Sequence, residues 1–160
     1  MDLILWRHAE AEFATGDMQD SDRKLTAKGL KQAAKMAFWL DSVLPDTCRI
    51  LVSPAVRTRS TADALLEYGR KYKVMPELGV DATVREALLA ANWPYSREPV
   101  MIVGHQPYLG EIVGELLGHP LHDYSVRKAN VWWISQKQKE TTDAETYLKA
   151  IMAPDLVLKS

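Results

Sequence analysis

Short apolar runs alternate with longer segments of helical spacing along this chain. Three of the runs carry apolar residues at consecutive positions, which is typical of strands buried on both faces of a sheet. These predicted strands span residues 3–6, 50–52 and 100–103. Further strands are predicted around residue 74 and at residues 131–135 and 147–152, with the polar tract 136–145 as an exposed hairpin loop. The alternation predicts an α/β fold with three α/β/α layers and a central, mostly parallel sheet.

Helices are predicted between the strands from their caps and their apolar spacing. Thr26 is expected to cap the first helix, which Pro45 closes. Ser53 is expected to cap the second helix with Pro54 at its first position, which places Arg57 in the first turn. The apolar face of the first helix is predicted to comprise Leu30, Ala33, Ala34, Ala37, Phe38 and Leu44.

The second half of the chain continues the same pattern. A third helix, capped by Asp81, is predicted to run through Leu88 and Leu89. A fourth is predicted from about residue 108 to residue 117, with Gly118 as its C-terminal stop. Trp132 and Trp133 should point to opposite faces of their strand, so we expect both to pack rather than to stack on a ligand.

Composition narrows the class of protein. With 160 residues, 47% of them hydrophobic, the chain is expected to form one domain, residues 1–160, with a substantial core. The 20 basic and 21 acidic residues give a net charge of −1, so neither nucleic acid nor a membrane is an expected partner. Cys48 is the single cysteine, which excludes an internal disulfide and is typical of a reducing compartment. No run is long enough for a signal-peptide core or a membrane span, so we expect a cytoplasmic protein.

The ends of three predicted strands carry the candidate chemistry. Arg7 and His8 follow the first strand, Ser53 follows the second and leads to Arg57, and His105 follows a later one. In open α/β sheets, ligands bind outside the carboxyl ends of the strands. If these strands are neighbours, two guanidinium groups and two imidazoles converge beside a helix N-terminus, which is an arrangement suited to a phosphate group.

Two histidines exceed what phosphate binding alone requires. A neutral imidazole is a nucleophile that can accept a phosphoryl group, and water then hydrolyses the phosphohistidine. The nucleophilic ring needs one nitrogen free and the other engaged as an N–H donor, and nearby positive charge helps to keep it unprotonated. The second ring, either protonated or donating one N–H, can stabilise the transferring group.

The motifs resemble those of a known family. "RHAEA" after the first strand, "LTAKGLKQA" at the first helix, "SPAVRTRST" after the second strand and "MIVGHQP" after a later one are similar to four signatures of the histidine phosphatase superfamily. The similarity runs from about residue 3 to residue 117. The short length and the "PEL" of residues 76–78 most resemble the phosphohistidine phosphatase (SixA-type) branch. The resemblance implies a phosphoglycerate mutase-like fold and no cofactor.

The resemblance also implies a role for each matching residue. His8 corresponds to the phosphorylated nucleophile, Arg7 and Arg57 to phosphate ligands, and His105 to the second catalytic, phosphate-binding histidine. Ala9 stands where the family usually has glycine, which places a Cβ beside the site.

The segment 66–99 has no room for the large cap that carries the proton donor in bigger members of the family. Glu77 is the loop acid in this segment that we nominate as a possible proton donor. An open site without a strong acid favours a leaving group that departs easily, as phosphohistidine does.

The expected function is therefore hydrolysis of protein phosphohistidine through phospho-His8, with a phosphohistidine-bearing phosphotransfer protein as partner and inorganic phosphate as product. One alternative is a phosphomonoesterase of the same superfamily that acts on a small phosphorylated metabolite. Another is a non-catalytic phosphate-binding signalling module, whose binding would survive His8→Ala.

Other sites and chemistries find less support in the chain. His119 and His122 could be imagined as metal ligands with Glu10 or Asp123, but their spacing matches no metal motif, so no metal is expected. Residue 54, six positions after the lone cysteine, is proline, which excludes a Cys-x5-Arg phosphatase. The tract 20–23 lies within a polar loop and does not come directly after a strand, so an aspartate nucleophile is not indicated. Arg59 is expected to point away from Arg57 on its helix, and Arg23 is interpreted either as a residue at the rim of the site or, more simply, as a surface charge.

Overall fold

The sheet and the helices are described from a computed structural model, which covers residues 1–122, 124–138 and 144–158. Within these residues the sheet has six strands in the order β3-β2-β4-β1-β5-β6. The strands are β1 (Asp2–Arg7), β2 (Arg49–Val52), β3 (Lys73–Val74), β4 (Val100–Gly104), β5 (Val131–Gln138) and β6 (Ala144–Met152). The first four pair in parallel, whereas β5 is antiparallel to both β1 and β6. The predicted mostly parallel α/β sheet is confirmed.

Helices cover both faces of the sheet. They are α1 (Ala27–Val43), α2 (Val56–Asp63), α3 (Val84–Ala90) and α4 (Tyr108–Leu116). Ile4 and Trp6 of β1 join the core formed with α1 and α2, whereas Leu3 and Leu5 join the core formed with α3 and α4. Because successive side chains of a strand point to opposite faces, β1 is buried on both sides, and the three predicted layers follow.

Some local predictions were wrong. Thr83, rather than Asp81, caps α3, because its hydroxyl and the Glu86 carboxylate form a reciprocal capping box. Ala55, rather than Ser53, is the N-cap of α2, since the Ser53 hydroxyl is engaged elsewhere, as described below. The buried face of α1 consists of Gly29, Ala33, Met36, Ala37 and Leu40. The predicted members Leu30, Ala34 and Phe38 are exposed, because the stripe that faces the sheet is rotated around the helix.

Other local predictions are confirmed. Thr26 caps α1 by accepting a hydrogen bond from the Gly29 N–H, and Gly118 follows α4 with φ +81°. Trp133 is buried in the core beneath α1 and α2, and Trp132 packs on the opposite side. The last two strands are longer than predicted, and residues 139–143 of the expected hairpin loop lie outside the described residues. No helix in the described part of the chain is long and apolar enough to cross a membrane.

Candidate active site

The three strand ends singled out in the sequence meet at one edge of the sheet. Strand β4 lies between β1 and β2, with Arg7 opposite Gly104 and Val52 opposite Val103. The ladder continues past the strands, because the His8 N–H donates to the Gly104 carbonyl over 3.1 Å. The rings of His8 and His105 consequently lie with their centroids 5.5 Å apart. The expected convergence is confirmed.

His8 has one ring nitrogen engaged and one free to react. Its Nδ1 lies 2.7 Å from the backbone oxygen of Ala9. A carbonyl oxygen only accepts, so Nδ1 carries the proton and Nε2 keeps its lone pair. Arg57 Nε–H points at this Nε2 over 3.4 Å. The Ala9 N–H donates to the Thr61 hydroxyl (3.0 Å), which anchors the backbone that orients the ring.

The Ala9 side chain does not crowd the site. It is fully buried in the core formed with α1 and α2. Its Cβ therefore occupies the core rather than the space beside the reacting nitrogen.

Arg57 is held by two atoms of Asp20. Its Nη1 donates to the Asp20 carbonyl over 2.8 Å, and its Nη2 donates to Asp20 Oδ2 over 2.9 Å. These contacts occupy the end of the guanidinium, whereas the Nε–H and the second Nη2–H lie along its side. The side edge faces His8 and remains available to a phosphoryl group on that ring.

His105 has a buried donor without an acceptor. Its Nε2 lies 2.7 Å from Ser53 Oγ, which also accepts from the Ala55 N–H over 3.3 Å. If the serine hydroxyl donates to Nε2, Nδ1 must carry the proton of the neutral ring. Nδ1 is buried and has no hydrogen-bond partner among the described residues. A phosphoryl oxygen between the two histidines would supply that partner.

Arg7 presents a second unpartnered donor. Its Nη1 donates to the Val126 carbonyl over 3.1 Å, while Nε is buried with no partner in the part of the chain that the structure describes. The two predicted phosphate ligands, Arg7 and Arg57, thus lie beside the predicted nucleophile. Buried polar groups are normally hydrogen-bonded, and these open donors are suited to the oxygens of a phosphoryl group.

Burial keeps both histidines neutral. Burial first, and then the charges of three neighbouring arginines, lower the pKa of His8 to about 4, although the hydrogen bond to Ala9 acts in the opposite direction. Burial, followed by the charges of Arg57 and His8, lowers the pKa of His105 to about 3. Of the two roles left open for the second histidine, the free protein therefore favours N–H donation by a neutral ring.

Asp20 was missed as a site residue, whereas Arg23, considered both as a rim residue and as a surface charge, lies beside it at the edge of the cluster. Arg23 Nη1 lies 3.1 Å from Asp20 Oδ1, and its charge contributes to the lowered pKa of His8. Burial raises the pKa of Asp20, but hydrogen bonds from Arg57 and Arg23 outweigh the effect of burial and lower this pKa overall. The only sequence signal was that their polar loop follows a strand that ends in the site.

The remaining sequence candidates lie outside this cluster. Glu77 is exposed in the 3₁₀ turn Pro76–Leu78 and has no hydrogen bond or ion pair to the cluster within the described residues. Arg59 is exposed and donates to the Pro54 carbonyl. His119 and His122 are exposed, and Asp123 lies outside the described residues. In the described ranges, no group of three or more His, Cys, Asp or Glu is arranged to hold a metal ion.

Comparison with known proteins gives a consistent set of matches. The family model of the histidine phosphatase superfamily (branch 1) matches residues 3–79. The phosphohistidine phosphatase SixA homolog of Haemophilus influenzae is 31% identical over 153 residues, covering 87% of this chain and 92% of the relative. Phosphohistidine phosphatase SixA of Escherichia coli is 31% identical over 121 residues, covering 72% of this chain and 74% of the relative. The crystal structure of the putative phosphohistidine phosphatase SixA from Agrobacterium tumefaciens has a TM-score of 0.78 at 24% identity. The match covers 96% of this chain and 98% of the other, so the two share a fold.

Proposed function

The chain belongs to the histidine phosphatase superfamily, and on this basis we propose that it is a phosphohistidine phosphatase whose nucleophile is His8. The observation that carries the proposal is the state of this ring. Nδ1 donates to the Ala9 carbonyl, so Nε2 is unprotonated beside Arg57. A nucleophile in this state needs no general base to take a proton from it.

The reaction divides into two displacements at phosphorus. In the first, the Nε2 lone pair of His8 forms a bond to phosphorus, and the bond from phosphorus to the substrate's imidazole nitrogen breaks. The bonding electrons stay on that imidazole, which takes up a proton from water. In the second, water attacks the phosphorus, the bond to Nε2 breaks, and inorganic phosphate leaves with His8 restored.

The surrounding donors stabilise the transferring group. Phosphoryl transfer gains most from positioning and from neutralising charge on the non-bridging oxygens. The side edge of Arg57, the unpartnered Nε–H of Arg7 and the Nδ1–H of His105 are three donors suited to those oxygens. Each is charged or buried, which strengthens its hydrogen bond.

The lack of a placed acid supports phosphohistidine over a phosphate ester. An alkoxide leaving group needs a proton donor, whereas an imidazole departs more easily. Asp20 has a lowered pKa and so is ionised at neutral pH, which makes it a poor proton donor. Glu77 remains the nominated donor, but it has no contact with the cluster in the described residues.

The proposal also includes a partner protein and a cellular compartment. The proposed partner is a phosphohistidine-bearing phosphotransfer protein, and the chain is proposed to act as one domain in the cytoplasm. The single, buried Cys48 suits a reducing compartment.

The decisive experiment compares two substrates and two histidines. Wild type, His8→Ala and the control His119→Ala, at an exposed position, are incubated with a histidine-phosphorylated carrier protein and with p-nitrophenyl phosphate. We expect fast loss of label from the carrier, weak ester cleavage and an acid-labile label on the enzyme, all of which require His8 and none of which require His119.

Three results would contradict the proposal. Unchanged hydrolysis by His8→Ala would refute the nucleophile assignment. Ester cleavage as efficient as that of the carrier would indicate a small-molecule phosphatase. Binding of the carrier without turnover or label would indicate a non-catalytic module.

A further inference from the structure

A cavity of about 500 Å³ opens beside the phosphoryl site and shares one wall with it. Arg7, the proposed phosphate ligand, lines this cavity together with residues from four separate segments. The segments are the loop after β1, the first turns of α1, the turn before β5 and the 3₁₀ turn Pro154–Leu156 after β6. The cavity and the phosphoryl site are therefore neighbours that share the Arg7 side chain.

Cations outnumber carboxylates in the lining of the cavity. Four cationic side chains face two carboxylates, so its charge is positive in a chain whose net charge is −1. The cations are Arg7, Lys28, Arg127 and Lys128, and the carboxylates are Glu10 and Asp155. The positive end of the α1 dipole adds to the field, since Lys28 is the second residue of that helix.

These charges are not neutralised within the protein. No ion pair joins Lys28, Arg127 or Lys128 to a carboxylate in the described ranges 1–122, 124–138 and 144–158. All three side chains are exposed. The Glu10 carboxylate accepts a hydrogen bond from the Thr26 hydroxyl over 2.7 Å, which directs one of the two acids to the start of α1.

We propose that this cationic cavity binds acidic side chains that flank the phosphohistidine of the protein substrate; the inference rests on the function proposed above. The phosphoryl site is nearly closed, with His8, Arg57 and His105 exposed by 5%, 3% and 1%. Recognition of the substrate beyond its phosphoryl group must therefore occur outside that site. The cavity bordered by Arg7 is adjacent, and its charge selects carboxylates.

Lys28 and Arg127 belong to different segments of the cavity wall, so each can pair with a separate acidic side chain of a peptide. Exposed charges of this kind act mainly on encounter and affinity, and salt screens them.

The test uses two phosphohistidine peptides that differ only in their flanks, one rich in Asp and Glu and the other in Ser and Gln. For wild type at low ionic strength, we expect kcat/KM to be about tenfold higher for the acidic peptide, chiefly through KM. In the Lys28→Glu/Arg127→Glu variant this ratio should fall to about one. The control Lys71→Glu, at the opposite end of the parallel strands, should keep the wild-type ratio.

A second measurement separates the cavity from the chemistry. Fluorescence anisotropy reports the affinity of fluorescein-labelled forms of both peptides for His8→Ala, with and without the double charge reversal. Failure of wild type to hydrolyse either peptide would refute the proposed function, whereas the binding ratio would still test the cavity.

Equal affinity for the two peptides would overturn the inference. So would a charge reversal that leaves the preference for the acidic peptide unchanged. A preference for a small bisphosphate over the acidic peptide, lost on the same charge reversal, would also overturn it, because the cavity would then bind metabolites.

Discussion

The central parallel strands β1 and β4 and the outer antiparallel strand β6 differ in burial and in what they contribute to chemistry. All five residues of β4 and the four central residues of β1 are buried, whereas most described side chains of β6 are exposed. The candidate catalytic and phosphate-binding residues follow strands of the parallel half. A strand packed on both faces cannot slip without disturbing two cores, so the residues at its end are held in place.

The antiparallel half supports the site through its backbone. The Ala129 N–H, just before β5, donates to the carbonyls of Arg7 and His8 over 3.1 and 3.0 Å. Strand β6 lies one strand farther out, at the edge of the sheet. If this contrast holds, substitutions near the ends of the parallel strands should strongly lower activity or stability. Substitutions in β6 should have small effects on both.

Arg57→Ala should have the largest effect. Loss of the side-edge donors beside His8 should lower kcat on a histidine-phosphorylated protein by about 10²–10³-fold. The control Arg59→Ala, two residues along α2 and exposed, should stay within about twofold of wild type, since its guanidinium donates to the Pro54 carbonyl and has no contact with His8 or His105 in the described residues. Melting by circular dichroism should show both variants folded. Equal losses in the two variants would contradict the assignment of Arg57.

Stability should fall as the pH drops from about 6.5 towards 4. The folded protein holds the pKa of His8 at about 4, below the value near 6.5 expected in the unfolded chain. The unfolded chain therefore binds more protons in this window, and protonation favours unfolding. Since one pKa unit corresponds to about 1.4 kcal/mol, His8 alone should account for roughly 3 kcal/mol.

Urea titrations at several pH values measure this dependence. In His8→Gln the stability lost between pH 6.5 and 4 should be reduced, whereas His119→Gln, at an exposed position, should resemble wild type. A wild-type stability that is flat across the window would show that His8 is not held neutral by burial.

Gly29→Ala should destabilise the segment after β1. A Cβ at this position would overlap the backbone carbonyl of Glu10, two residues after the nucleophile. Despite the better helix propensity of alanine, we expect a loss of about 1–3 kcal/mol in the free energy of unfolding and a lower kcat. In the control Gly79→Ala, the nearest atom to the new Cβ is the Pro76 carbonyl oxygen at 3.4 Å. Urea denaturation should show a larger loss for Gly29, and similar losses would refute this tight contact.

Asp20→Asn should lower kcat without unfolding the protein. The carboxylate holds the end of Arg57, but it is 53% exposed, so the expected effect is about 1 kcal/mol, or roughly fivefold in kcat. Asp22→Asn, in the same 3₁₀ turn, removes the same charge without touching Arg57. If both variants lose activity equally, the effect is that of net charge and not of positioning.

Lys149→Ala should have the smallest effect. This residue of β6 lies 3.5 Å from Asp2 and 5.2 Å from the Trp133 ring centroid, but its side chain is half exposed. We expect a loss of about 0.5 kcal/mol in stability and an unchanged kcat. A marked loss of activity would show that the outer strand supports the site and would remove the contrast between β6 and the central strands.

The elements that were predicted correctly depend on neighbours in sequence. Consecutive apolar residues in β1 and β4 mark strands buried on both faces, whatever lies beside them. Thr26 caps α1 through a donor three residues away. Where two local signals competed, as at Asp81 and Thr83, the reciprocal contact with Glu86 selected the cap. The presence of Asp81, a residue type that often caps helices, was not enough to predict which residue would form the cap.

By itself, the sequence determined the alternation of strands and helices and the order of the three motif-bearing strand ends. Only the tertiary structure brought Asp20 to Arg57 across 37 residues and left Nδ1 of His105 buried without a partner among the described residues. It also placed Lys28 and Arg127 around one cavity. The physical reason is range: hydrophobic period and capping act over a few residues. Which distant side chains meet depends on strand order and on how the loops pack above the sheet.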